Sequence, residues 1–383
     1  MNRNVAINHI EKDLKQIAEK NKTVSMSVAV VRKDQVIWTH ALGYSNREKQ
    51  LLASPETIYR VASVSKHVSA LAAMTLVDVG KASLDADISE YLGYNVRNPF
   101  YPDIPITLRH LMTHTSTLSE AGNYSRICAG ELPPYPLSQI LVKGTPGYSQ
   151  NNYINAKPGE KYVYSSFGSG VMGTIIECIT KKKFADYARE VILTPLGLDS
   201  SYNPDDLSDL SLLATPYEVA IVDNLDKDTI AANPVWLENS LANKMKLANL
   251  PVGEAYRMAQ GNLHIRPRDL AAITMVLLNE GYSKGVQILS PQAVAEMTKV
   301  QFRDENICTG LNLHIWDELV AGKHMIGHPG RSYGVFTSFF FCPEDKTAAI
   351  VFTNGTDPNK DDFYCTSTCT EVIRAIYKVI DCL

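Results

Sequence analysis

No stretch of the 383-residue chain approaches the roughly 20 consecutive apolar residues that a membrane-spanning helix requires. No membrane span is therefore expected. Met1 to Lys22 lack the apolar centre of a secretion signal, so the expected location is the cytoplasm. Neither sign of charge dominates, with 37 Lys and Arg against 41 Asp and Glu and a formal net charge of −4. With no basic run either, a nucleic-acid-binding surface is excluded. Internal repeats and low-complexity segments are absent. The 7 cysteines (128, 178, 308, 342, 365, 369 and 382) leave at least one unpaired, and without an export signal reduced thiols are expected. His110 and His114 are spaced as a helical zinc pair would be. Leu111, Met112 and Thr113 between them supply no glutamate, so they are read as a packed, hydrogen-bonded pair. Neither a metal nor a cofactor is expected.

What the chain does have is apolar content, 45% of it, sufficient for a large core in one big domain or two. Residues 8–20 carry helical spacing. Val24–Val31 and Gln35–Leu42 read as strands joined by a turn at Arg32-Lys33-Asp34, and 43–60 as polar loop. Short helices are expected after Leu84-Asp85 and over Thr107–Thr113. Longer ones follow at 168–180, 184–193, 267–279 and 291–300, several with proline in the first turn or just past the end. Residues 199–260 are polar and irregular. Strand-like runs return at 324–328, 334–341 and 347–353, before a closing helix over 363–383. Strands at both ends with helices between them predict an α+β fold. One antiparallel sheet is assembled from the N- and C-terminal strands and flanked by helices, with a mostly helical region inserted. Residues 1–62 and 255–383 would form the α/β part and 63–254 the helical part.

Three stretches carry chemistry. In Ser63-Val64-Ser65-Lys66 and the apolar run after it, Val64, Val68, Leu71, Leu76 and Val79 mark the buried face of a helix that Gly80 closes. Ser63 falls at the first turn, where free backbone N–H groups and the helix dipole favour a developing alkoxide. Lys66, three residues on, lies over the same face. Desolvation there should lower its pKa and let it act as a base towards Ser63. This is the only serine–lysine pair at that spacing in the chain. The second stretch is Lys157-Pro158-Gly159 through Tyr164-Ser165-Ser166, where a Pro-Gly turn leads to a tyrosine just before a helix. Close to a cationic lysine its phenol should have a lowered pKa and relay protons. The third is Gly327-His328-Pro329-Gly330, at the end of one strand and just ahead of another. Glycine permits close substrate approach there, and the next N–H is free for an oxyanion.

With these pieces in order the sequence resembles the serine β-lactamase and penicillin-binding protein superfamily, most of all its class C-like branch of D,D-peptidases, D-aminopeptidases and β-lactamase-like esterases. Thr57 to Lys66 is similar to the nucleophile region, and Leu111-Met112-Thr113-His114-Thr115-Ser116, Pro195-Leu196-Gly197-Leu198 and Arg268-Asp269-Leu270 to structural landmarks. The resemblance implies Ser63 as acylated nucleophile, Lys66 and Tyr164 as its proton partners, and His328-Pro329-Gly330 as the third motif. The backbone N–H groups of Ser63 and Arg331 would form the oxyanion hole. Ser166 stands where the second motif usually ends in asparagine, and His328 where lysine is usual. An imidazole, mostly uncharged near pH 7, points away from a dedicated β-lactamase. It should make preference for substrate carboxylates rise as pH falls, unless Arg331 supplies a constant charge.

Gly330-Arg331-Ser332-Tyr333-Gly334 matches the nucleophile elbow of another hydrolase class, but a strand follows it and His328 is the last histidine. Cys365 and Cys369 share a helical face as core residues. The reading is a serine hydrolase acting through an acyl-enzyme on an ester, amide or D-amino-acid peptide, with a small molecule or short peptide as partner. The alternative is a catalytically idle member of the fold that binds peptides or assembles with partners. The sequence does not set the oligomeric state.

Overall fold

The computed structural model describes residues 1–219, 230–232, 251–254, 256–332, 334–356 and 365–383. Much of the irregular stretch 199–260, the expected part boundary at 255, the start of the last helix at 363 and Tyr333 lie outside the described residues.

Nine strands form the main sheet: β1 (Ser25–Arg32), β2 (Gln35–Asn46), β3 (Leu51–Leu52), β4 (Phe302–Arg303), β5 (Cys308–Thr309), β6 (His314–Ile315), β7 (Ile326–Ser332), β8 (Val335–Cys342) and β9 (Thr347–Asn354). Their order is β4-β5-β6-β7-β8-β9-β1-β2-β3. Every neighbouring pair is antiparallel. The β9–β1 pairing, Val28 opposite Val351, joins the two ends of the chain at the centre of the sheet. The α+β architecture expected from the sequence is the one observed.

Both faces of the sheet are covered, so its central strands are apolar at successive positions. Val28, Val30, Phe336, Phe340 and Val351 pack under helices α1 (Arg3–Lys20) and the C-terminal helix Ser367–Val379. Ala29, Val31, Phe339, Phe341 and Phe352 face the other core, with α2 (Val64–Asp78), α3 (Ser166–Thr180) and α4 (Pro267–Leu278). Cys365 and Cys369 are buried in the first layer.

Several boundaries differ from expectation. The first helix begins at Arg3 because the Asn2 side chain accepts from the Val5 N–H at 3.0 Å and caps it. β2 extends to Asn46 into the expected loop, and β3 pairs with it. Helix α2 ends at Asp78, so Val79 is 67% exposed rather than part of the buried face. Gly80 follows with φ +73°, the left-handed conformation glycine tolerates. His328, Pro329 and Gly330 lie inside β7, not at a strand end.

Candidate active site

Helix α2 is buried almost all round, and polar residues within it need partners. Ser65, Lys66 and Ser69 find them on one passing segment. Ser65 Oγ accepts from the Leu263 N–H at 3.0 Å, Lys66 Nζ donates to the Gln260 carbonyl at 2.7 Å, and Ser69 Oγ donates to the Ala259 carbonyl at 2.7 Å. These bonds tie the helix to 259–263 and hold the lysine extended towards its own N-terminus. Its Nζ there donates to Ser63 Oγ at 3.0 Å. Ser63 precedes the first helical turn, directly after Ala62, which holds the left-handed φ of +49°.

Lys66 is 1% exposed. Desolvation pushes its pKa down to about 7, the nearby Glu120 carboxylate raising it and the Arg60 guanidinium lowering it further. The direction is the one expected from the sequence. For Tyr164 the expectation is corrected. Its hydroxyl lies against Ser63, which lowers its pKa, and Lys66 Nζ stands 5.1 Å from its ring centroid, yet desolvation raises the phenol above its ordinary value, and Glu120 adds to the effect. The lysine beside it is too easily neutralised to hold a phenolate. Tyr164 is a protonated phenol at neutral pH.

Strand β7 passes in front of Ser63. The Trp316 N–H donates to the Met325 carbonyl, so the odd-numbered residues of β7 turn their backbone groups towards β6 and the even ones towards β8. β6 ends opposite Gly327. Beyond it Pro329, which has no N–H to lose, and the Arg331 N–H face an edge without a partner strand among the described residues. A Cβ on Gly330 would lie 2.4 Å from Thr337 Oγ1, 2.5 Å from the Val61 carbonyl and 3.2 Å from Ser63 N. Only glycine lets β7 approach the start of α2 this closely.

Three buried histidines gather beside Tyr164. His114 is 4.4 Å from the Tyr164 ring and His314 is 4.9 Å from His328, centroid to centroid. His114 Nδ1 accepts from the Ser165 N–H at 3.2 Å. His328 Nδ1 donates to the Pro329 carbonyl at 2.5 Å, leaving Nε2 as an acceptor. Desolvation, together with His314, Lys66 and His114, holds His328 well below the usual imidazole range. The expectation of a titration near neutrality is thus corrected: burial in a cluster of like groups keeps it neutral. Arg331 does not replace the charge. Its guanidinium is 5.5 Å over the Phe336 ring, in the layer on the opposite sheet face.

Ser63, Lys66, Tyr164, His328 and Gly330 are thus brought together. Ser166 opens α3, and its N–H donates to the Glu120 carboxylate. His110 and His114 do not pair, since the helix between them ends at Met112 and His110 Nδ1 instead accepts from the Thr107 N–H at 3.2 Å. Ser332 of the elbow-like motif accepts from Arg60 Nη1 at 2.7 Å on the β7–β8 hairpin. Among the described residues no group of three or more His, Cys, Asp or Glu is placed to hold a metal. No described helix is long and apolar enough to cross a membrane. Glu120, Gln260 and Tyr124 were missed by sequence reasoning. They come from loops and a short helix with no periodicity to mark them.

A family model described as beta-lactamase matches residues 10–368. Protein flp of Staphylococcus aureus (strain N315) is 25% identical over 190 residues, 49% of this chain and 36% of that protein. Esterase EstB of Burkholderia gladioli is 27% identical over 193 residues, 48% of each. The matched region thus spans about a third to a half of these curated relatives. The D-amino acid amidase from Ochrobactrum anthropi SV3, solved with D-phenylalanine, superposes over 98% of this chain and 99% of that one. Its TM-score is 0.71 at 19% identity.

Proposed function

Because the chain belongs to the β-lactamase family, we propose that it is a serine hydrolase working through an acyl-enzyme, with Ser63 as nucleophile. One observation carries this reading: the buried Lys66 amine at 3.0 Å from Ser63 Oγ, with its pKa near 7. In neutral form Lys66 takes the Ser63 proton as the oxygen attacks the substrate carbonyl. Tyr164, kept protonated, passes a proton to the leaving group and recovers one through Lys66. The Ser63 and Arg331 N–H groups receive the oxyanion. Water then releases the acid. The nucleophile comes from the helical part, 63–254, and the oxyanion strand from the sheet part, 1–62 and 255–383.

Relatives described as an esterase and a D-amino acid amidase support an ester, amide or D-amino-acid peptide as substrate. A catalytically idle binding module is the second reading. A lysine desolvated against its nucleophile disfavours it, because a binding role gains nothing from a destabilised ammonium. The test is intact-mass analysis after a fluorophosphonate or a penicillin. Wild type is expected to gain one adduct, mapped to Ser63, and Ser63→Ala none. Labelling at Ser332, or no adduct together with no turnover across esters, amides and D-amino-acid peptides, would overturn the reading.

A further inference from the structure

A cavity of about 910 Å³ is bounded by Ile127, Leu132, Tyr135, Tyr256, Cys128 and Arg257 among others. Three residues lead from it to Ser63: Tyr124 beside the lining Cys128, then Gln260, then Lys66. Gln260, whose carbonyl receives Lys66 Nζ, accepts through its side chain from the Tyr124 hydroxyl. The Tyr124 ring stacks on Phe167 of α3 at 4.5 Å, and the Cys128 thiol lies against both Tyr124 and Arg257. The cavity therefore opens against the back of the Lys66–Gln260–Tyr124 chain.

Its charges are unevenly matched. Glu131 is paired with Arg126 at 3.3 Å. The Glu254 carboxylate accepts from the Leu137 N–H at 3.2 Å, which occupies it at the start of a short helix. The Arg257 guanidinium has no carboxylate within 4.0 Å among the described residues, and the neutral Cys128 thiol is its neighbour. A partly buried guanidinium without an anion, amid aromatic and proline side chains, is a ready fork for a carboxylate on an apolar arm. The third-motif stretch offers no such charge, since His328 is neutral and Arg331 turns away.

We propose that this cavity is a substrate subsite taking an apolar arm that ends in a carboxylate, with Arg257 as the anion's anchor. The inference rests on the acyl-enzyme reading only for what happens to the ligand next; binding itself does not require Ser63.

Cys128, the exposed thiol among the described cysteines, reports occupancy without turnover. Its alkylation by N-ethylmaleimide is followed by peptide mass while 4-phenylbutyrate or its primary amide is titrated. The acid is expected to protect Cys128 about 10-fold or more better than the amide, and Arg257→Gln to abolish that preference. Arg257→Lys, which keeps charge without the fork, should retain a weakened preference and serves where the glutamine variant does not fold. Ser63→Ala should protect like wild type, so loss of hydrolysis leaves this result standing. Equal protection by acid and amide would overturn the proposal, as would a preference that survives Arg257→Gln.

Discussion

Replacing Lys66 by methionine should abolish turnover and make the protein more stable. In an unfolded chain the amine titrates at 10.5, whereas in the fold it titrates at about 7. Between these values the unfolded chain holds a proton that the folded one does not, so at pH 7 and below the lysine costs about 5 kcal/mol of stability. Against this, methionine leaves the Gln260 carbonyl without its 2.7 Å donor, a loss of about 1–3 kcal/mol. Methionine fills nearly the same volume in the apolar surroundings of α2. The expected net gain is about 2–4 kcal/mol, read as a rise of several degrees in Tm at pH 7. The sign of the pH dependence is a second check. The folded-state pKa is depressed, so wild-type stability rises with pH between about 7 and 10.5 by up to about 1.4 kcal/mol per pH unit. The variant lacks that slope, and its advantage should shrink as pH rises. Chemical denaturation of both proteins from pH 6.5 to 9.5 measures this directly. A variant less stable than wild type at pH 7, or an advantage that stays constant with pH, would refute the argument that Lys66 is held as a desolvated base.

Glu120 raises the Lys66 pKa, so Glu120→Gln, which keeps an oxygen for the Ser166 N–H, should move the acid limb of kcat/KM to lower pH; a shift to higher pH would contradict the electrostatics. With Lys66 near 7, wild-type kcat/KM should fall about tenfold per pH unit well below that value. Gly330→Ala puts a methyl 2.5 Å from the Val61 carbonyl and 3.2 Å from Ser63 N, and should lower kcat by about 10²-fold or more through loss of oxyanion geometry; near-normal turnover would place the oxyanion elsewhere. The ratio of kcat/KM for matched substrates with and without a carboxylate should be flat from about pH 5.5 to 8.5, because His328 is held neutral; a ratio that climbs below pH 7 would mean that it titrates after all.

By itself the sequence determined those features that repeat with a local period or sit at fixed spacing. The hydrophobic pattern of α2, the serine and lysine one turn apart, and the strands at the two ends were all legible. Each depends on residues close in the chain. The tertiary structure decided the charge states. The Tyr164 phenol was expected to be lowered by a neighbouring cation, but burial lowers the lysine and raises the phenol together, and burial is set by residues far away in sequence. His328 is neutral because distant parts of the chain bury it, among them His114 and His314, 214 and 14 residues away. Whether His328-Pro329-Gly330 ends a strand or lies within one also depended on the partner: β6 ends opposite Gly327, but β8 stays paired with β7 through Ser332. The roles of Glu120, Gln260, Tyr124 and Arg257 likewise exist only in three dimensions. Irregular segments carry them, and irregular backbone leaves no pattern in the sequence to show which side chains it will bring to a distant helix.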